Sequence, residues 1–205
     1  SDTPMGSSAD IPAVQVVCVS DRPVFNAARA RNLGAAAAKA HWLCFVDADT
    51  LLHPGAVRLL VAHFADPRVG AVAGNVKVGN RRGLLPRLQA LEYTTAQNID
   101  RRAAERLNAM LVVPGAIGAW RAEAVRKVGL YSPDTITEDA DLTVAILRAG
   151  YRVVFEERAF SITDAPESLK PFMKQRLRWS FGMMQTSWKH RRAAKMARGV
   201  GLFSI

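Results

Sequence analysis

Residues 42–50 read WLCFVDADT, five apolar side chains followed by two carboxylates spaced two apart. A short apolar run bounded by polar residues has the length and composition of a buried strand. In an extended chain residues two apart share a face, so Asp47 and Asp49 put both carboxylates on one side just past the strand's carboxyl end. Such a pair suits a hard divalent cation, Mg2+ or Mn2+, which takes one or two protein carboxylates and completes its shell with phosphate oxygens. A cation held there binds a nucleotide diphosphate and stabilises it as a leaving group. Taken alone, the pair fits equally a turn at Asp47 and a helix cap at Asp49 ahead of Pro54.

Outward from this strand, β-rich runs alternate with helical patterns. VQVVCV at 14–19 precedes an Ala-rich helix over 26–39; a helix over 55–64 follows the carboxylates, then VGAVAGNVKV at 69–78. A long helix is expected over 84–107, strand-like LVV at 111–113, AIGAW at 116–120, and a helix over 121–128. The last third carries a helix over 139–149, strands at 151–155 and 159–163, and a helix from Ser168 to His190. Strand–helix alternation predicts an α/β fold around a central, mostly parallel sheet, whose ligands sit at the carboxyl ends of its strands.

The 205 residues, 49% of them hydrophobic, suffice for one packed core. Cys18 and Cys44 lie in strand-like runs, where a thiol behaves as a small buried hydrophobe; no disulfide framework is indicated, and a reducing compartment fits. No stretch approaches the roughly 18 apolar residues of a membrane span. The polar, Pro-containing residues 1–13 read as a disordered lead. A net charge of +10 calls for an anionic partner. Lys189, His190, Arg191, Arg192, Lys195 and Arg198 gather in an acid-free stretch after a Met- and aromatic-rich one, the pattern of a membrane-surface element or of a solvated helix end. No stacking aromatics are interleaved among these cations and no reading motif accompanies them, so nucleic acid is not expected as a partner.

Two further motifs bear on chemistry. Thr137-Glu138-Asp139 opens a helix, where the free amides and the dipole favour an ionised acid that can serve as a general base, or where the triplet is plain capping. Gln175, Arg178 and Trp179 of QRLRW share one helix face at i, i+3 and i+4. That face offers an amide, a guanidinium suited to phosphate and an indole suited to stacking on a sugar, or alternatively a core Trp beside a solvated Arg.

In order, DAD at 47–49, TED at 137–139 and QRLRW at 175–179 resemble the D, D, D, QxxRW signature of processive family-2 glycosyltransferases with the GT-A fold, the synthases of cellulose, chitin, hyaluronan and poly-N-acetylglucosamine. ARNLGAAAA, GNVKVGNR at 74–81, QALEY at 89–93, VPGAIGAWRAEAV at 113–125 and APESLKPFMKQRLRW at 165–179 extend the resemblance from about residue 14 onward. The resemblance implies a metal role for Asp49 and nucleotide-sugar contacts for Asp47, with Asp21 and Lys77 as further nucleotide contacts; Arg31 and Asn32 take no assignment. It implies Asp139 as catalytic base, with Glu138, Gln175, Arg178 and Trp179 at the acceptor and diphosphate. The implied reaction is an inverting, Mg2+- or Mn2+-dependent transfer from a UDP-sugar, by resemblance UDP-N-acetylglucosamine, onto a growing β-linked polysaccharide at the cytoplasmic face of a bacterial inner membrane. Alternatives are a non-processive glycolipid-forming transferase and a non-catalytic module of a synthase complex.

The strand at 14–19 looks like the family's second, so the opening βα unit is expected to be missing. GVGLFSI at 199–205 looks like the approach to a transmembrane helix. The division expected is a lead over 1–13, a catalytic domain over 14–167, and an interfacial QxxRW helix with a basic juxtamembrane segment over 168–205. In that helix Phe172, Met173, Trp179, Phe181, Met183, Met184 and Trp188 face either a membrane or the core.

Overall fold

The computed structural model describes residues 27–95 and 99–191. The expected strand at 14–19, Cys18, Asp21 and the ends 1–13 and 199–205 lie outside the described residues. The Ala-rich run forms α1 (Ala27–Ala37) and leads into β1 (Trp42–Phe45), a two-residue β2 (Leu51–Leu52) and α2 (Ala56–Ala62), which closes in a 3-10 turn. Then come β3 (Val69–Val78), α3 (Leu84–Thr95), α4 (Arg101–Arg106), β4 (Gly118–Arg121), α5 (Ala122–Lys127), α6 (Glu138–Arg148), β5 (Arg152–Thr163) and α7 (Leu169–His190).

The strands form one sheet in the order β1-β4-β3-β5-β2. β3 and β5 pair in parallel, while β1 with β4, β4 with β3, and β2 with β5 pair antiparallel. The α/β layering holds, but the expectation of a mostly parallel sheet is corrected among the described residues to a mixed one. β1, β3 and β5 run the same way, and β4 inserts between β1 and β3 in the opposite sense. The polarity of β4 depends on where its partners lie in space, which local periodicity does not encode.

β3 is buried along nearly its whole length because helices cover both faces. On one face Ala71 and Ala73 pack with Trp120, Leu142 and Ile146; on the other Val72 and Val76 pack with Leu60, Phe64 and Ile117. At roughly 25 cal/mol per Å² of apolar surface removed from water, these two clusters are the main source of stability. Cys44, expected inside, is exposed. β1 is the outer strand of the described sheet, and its alternation turns Leu43 inward and Cys44 outward.

Of the helix expected over 84–107, the described residues carry α3 to Thr95, where the hydroxyls of Thr94 and Thr95 bond back to the carbonyls of Ala90 and Leu91 at 2.9 and 3.1 Å, and α4 from Arg101. Two further expectations differ locally. LVV at 111–113 forms no strand; its Val113 amide donates instead to Thr143 Oγ1 at 2.9 Å. The strands at 151–155 and 159–163 are one strand, β5, with a bulge where the register passes from Gly74–Glu156 to Asn75–Phe160. A Cβ on Gly74 would stand 2.8 Å from the Ala159 carbonyl oxygen, so the bulge requires glycine.

Candidate active site

The carboxyl end of β1 and the amino end of β4 meet at one rim of the sheet, since Phe45 pairs with Gly118, and Thr163 at the carboxyl end of β5 lines the same cleft. A cleft of about 780 Å3 opens there, walled by the loop after β1, the start of α6 and the inner side of α7. Asp47, Asp49, Glu138, Asp139, Gln175, Arg178 and Trp179 all line it, although their segments are separated by long stretches of chain. Lys77 does not line the cleft. It follows Val76 on β3 and points elsewhere, its ammonium 3.9 Å from the Phe160 ring centroid, in a smaller hollow with Asn75 and Arg81.

The loop after β1 turns sharply, with the Thr50 amide donating to the Asp47 carbonyl at 3.1 Å. Asp49 caps no helix, because α2 begins after Gly55, which sits at φ 86. Both carboxylates are exposed, and Asp47 Oδ1 accepts from Arg31 Nη2 at 2.9 Å. The other arm of Arg31 pairs with Glu138 Oε1. One guanidinium on α1 therefore joins the DAD loop to the first turn of α6. The position of α1 is fixed by Asn32, which donates to the Tyr131 carbonyl at 2.8 Å and accepts the Tyr131 amide at 2.9 Å.

At the start of α6, Thr137 is the N-cap residue but its hydroxyl makes no cap bond. That hydroxyl is buried without a hydrogen-bond partner among the described residues, beneath α7, where Gly182 lies so close that a Cβ would stand 2.6 Å from Thr137 Oγ1. Asp139 accepts the Ala140 amide at 2.9 Å and the Gly115 amide at 3.3 Å. Burial pushes its carboxyl above the usual aspartate range, against the pull of these amides and Arg31. Glu138 is also raised, chiefly by burial. A carboxylate made more basic while facing a cleft is suited to taking a proton from a bound hydroxyl.

On α7, Arg176 points away from the cleft and forms a bidentate pair with Glu92 of α3 at 2.7 and 2.6 Å, its guanidinium 4.7 Å from the Trp179 ring centroid. That clamp leaves Arg178 free to line the cleft, while Trp179 packs one side on the core and shows the other to the cleft. Gln175 Oε1 is buried without a hydrogen-bond partner among the described residues. Phe172 lies beside Arg176 and Met183 lines the cleft, whereas Met173, Phe181, Met184 and Trp188 are exposed on the outer face.

Sequence reasoning gave no role to Arg31, Arg101, Tyr93 or Asp164, which also line the cleft. Arg101 donates from Nη1 to the Gly74 carbonyl at 2.8 Å. Burial lowers its pKa to about 10 against the influence of Asp139 and Tyr93, so it stays charged at neutral pH. The one local signal for Arg31 is an arginine in a helix without any acid; its carboxylate partners are 16 and 107 residues away.

No group of three or more His, Cys, Asp or Glu side chains that could cage a metal occurs among the described residues. The donor set fits a cation held by Asp49 and the free oxygen of Asp47, with its remaining ligands from a diphosphate and water.

Residues 42–204 match the family described as glycosyl transferase family group 2. A poly-beta-1,6-N-acetyl-D-glucosamine synthase of Staphylococcus aureus (strain COL) is 31% identical over 156 residues, covering 76% of this chain and 38% of the relative. The enzyme of the same name from Staphylococcus epidermidis is 26% identical over 181 residues, covering 86% of this chain and 44% of the relative. The chain thus spans less than half the length of these relatives. The mannosyltransferase PcManGT from Pyrobaculum calidifontis, solved in complex with GDP-Man and Mn2+, superposes with a TM-score of 0.67 at 22% identity over 84% of this chain and 45% of that one. With the motifs gathered at one rim and most of the chain matched, this protein belongs to glycosyl transferase family 2 and has the GT-A fold.

Proposed function

We propose that the chain is the catalytic domain of an inverting, Mg2+- or Mn2+-dependent transferase that moves N-acetylglucosamine from its UDP donor onto a growing β-linked polysaccharide. The observation that carries this reading is the convergence of the DAD, TED and QRLRW residues on one cleft. Asp47 and Asp49 hold the nucleotide end, with Asp49 as the metal's protein ligand; the bound cation supplies charge neutralisation to the departing diphosphate. Arg178 adds a guanidinium with donors suited to phosphate oxygens. Trp179 and Gln175 seat the acceptor sugar by stacking and hydrogen bonding, with Glu138 at their side. Asp139 takes the proton of the acceptor hydroxyl as that oxygen attacks the anomeric carbon from the face opposite the leaving group. N-Acetylglucosamine is chosen as donor sugar because the relatives are named for it.

α7 supports a membrane partner. No described helix is long and apolar enough to cross a membrane. Yet Leu169, Met173, Leu177, Phe181, Met184 and Trp188 form one exposed stripe along α7, with Leu177 65% and Trp188 70% exposed. Basic residues follow the stripe from Lys189 onward. An apolar stripe of this length beside cations suits a helix lying in an anionic leaflet, and supports the reading of a domain at the cytoplasmic face of a bacterial membrane.

The test is incorporation of labelled sugar from UDP-N-acetylglucosamine, compared with UDP-glucose and UDP-glucuronic acid, into polymer by membranes carrying the protein. Incorporation from the first donor, dependent on Mg2+ or Mn2+, is expected. Incorporation from another donor alone would overturn the sugar assignment, and metal-independent transfer the cation's role.

A further inference from the structure

Asp141 lies one turn into α6, two residues beyond Asp139, and plays no part in the reaction described above. It is 3% exposed, and a buried carboxylate is costly unless fully hydrogen-bonded. Its partners come from the last turn of α7: Lys189 Nζ reaches Oδ2 at 2.8 Å and His190 Nε2 donates to Oδ1 at 2.8 Å. His190 Nδ1 accepts from Arg148 Nη1 at 2.9 Å, so the ring is held in the Nε2–H form by a cation on the far end of α6. Lys189 also reaches Asp134 Oδ1 at 2.8 Å. Burial alone would raise the Asp141 carboxyl, but the bonds from His190 and Lys189 outweigh it and hold the group below the usual range.

Nearer the cleft the same two elements meet at Gly182 over Thr137, and Gln185 Oε1 accepts the Ile136 amide at 3.1 Å. Gln185, Lys189 and His190 therefore form a polar seam along the half of α7 that follows QRLRW. The Arg176–Glu92 pair fixes the other half to α3. α7 supplies Arg178 and Trp179, and α6 supplies Asp139, so the spacing between general base and acceptor platform is set by how the two helices are joined.

We infer that Asp141, gripped by Lys189 and His190, is a positioning residue that locks the QRLRW helix to the helix of the general base and so sets the geometry for transfer. The inference rests on the reaction proposed above for its consequence, though not for the existence of the lock. A carboxylate with two charge-assisted partners supplies enough interaction for the task, since such bonds are among the stronger ones in proteins. Its loss takes from His190 its carboxylate acceptor and leaves Lys189 with Asp134 alone, and a displacement of the order of 1 Å at a reacting centre is enough for a rate loss of up to about 100-fold.

Hydrogen exchange followed by mass spectrometry on the protein and on Asp141→Asn reads the lock directly. The peptides covering 135–137 and 182–190 are expected to exchange at least about 10-fold faster in the variant, with β3 and β5 unchanged. Unchanged exchange in those peptides would overturn the lock. If Asp141→Asn does not fold, the paired variant Lys189→Met/His190→Gln, which removes the partners instead of the carboxylate, is measured the same way. Transfer assays add the consequence: Asp141→Asn lowers kcat about 10-fold with the KM for UDP-sugar unchanged. Adding Lys189→Met and His190→Gln lowers it no further, because all three act through one contact. Faster exchange with unchanged kcat would reduce Asp141 to a stabilising role and overturn its positioning role. Absence of transfer by the parent protein would count against the proposed reaction, while the exchange result still decides the lock.

Discussion

In the proposed reaction Asp139 has to be ionised before it can accept a proton, and its setting makes that ionisation harder. Burial raises its pKa above the ordinary aspartate value of about 3.9. Activity should therefore rise with pH through an acid limb centred above that value. Asp139→Asn should abolish the limb and lower transfer by about 10²–10⁴-fold, leaving UDP binding intact. The linkage to folding runs the opposite way. A raised carboxyl pKa means that the folded state binds more protons than the unfolded chain, so the contribution of this group favours folding at low pH and is lost as pH rises through the raised value. At neutral pH Asp139→Asn should melt no lower than the parent, measured by thermal denaturation. At this scale the cleft-lining acids were legible from motif and position, past a strand's carboxyl end for Asp47 and Asp49 and in a helix's first turn for Asp139. Arg31 and Arg101 were not, because what gives each its place is a partner distant in sequence: Glu138 for one and the Gly74 carbonyl for the other. The place of Lys77 was hidden for a related reason, since strand alternation at β3 turns it off the cleft and onto Phe160.

Among the elements, α7 is the one whose placement decides the site. Gly182 would gain about 1 kcal/mol on substitution by alanine if helix propensity alone mattered. The structure gives the opposite sign, because the added Cβ would stand 2.6 Å from Thr137 Oγ1 and 2.9 Å from its Cβ. Gly182→Ala should lower stability by about 1–3 kcal/mol in urea unfolding, and Gly182→Val by more, with transfer falling as α7 lifts from α6. Stabilisation of Gly182→Ala would show that the crossing is looser than described. The long periodic elements, α1, β3, α6 and α7, could be read from sequence because each repeats its pattern over enough residues. β2 could not, since two leucines carry no period and become a strand only by pairing with Ile162 and Ser161. The parallel or antiparallel sense of β4 was equally hidden, being a property of pairs rather than of segments.

For the whole molecule, the sheet rim and the cleft lie on one side of α7 and its exposed apolar stripe on the other; on the reading proposed above these are the catalytic and the membrane-facing sides. Leu177 and Phe181 are exposed in the middle of that stripe. Leu177→Glu/Phe181→Glu should leave folding unchanged and reduce co-sedimentation with vesicles of phosphatidylglycerol and phosphatidylethanolamine at least about 10-fold. Equal binding by variant and parent would show that the stripe does not meet lipid. The claim on which the rest depends is that the rim cleft is a nucleotide-diphosphate site built by the DAD loop. Calorimetric titration of UDP into the protein with and without Mn2+, repeated on Asp49→Ala, tests it most directly. Binding that requires Mn2+ and disappears in Asp49→Ala is the predicted result; metal-independent binding, or binding that survives the substitution, would contradict it.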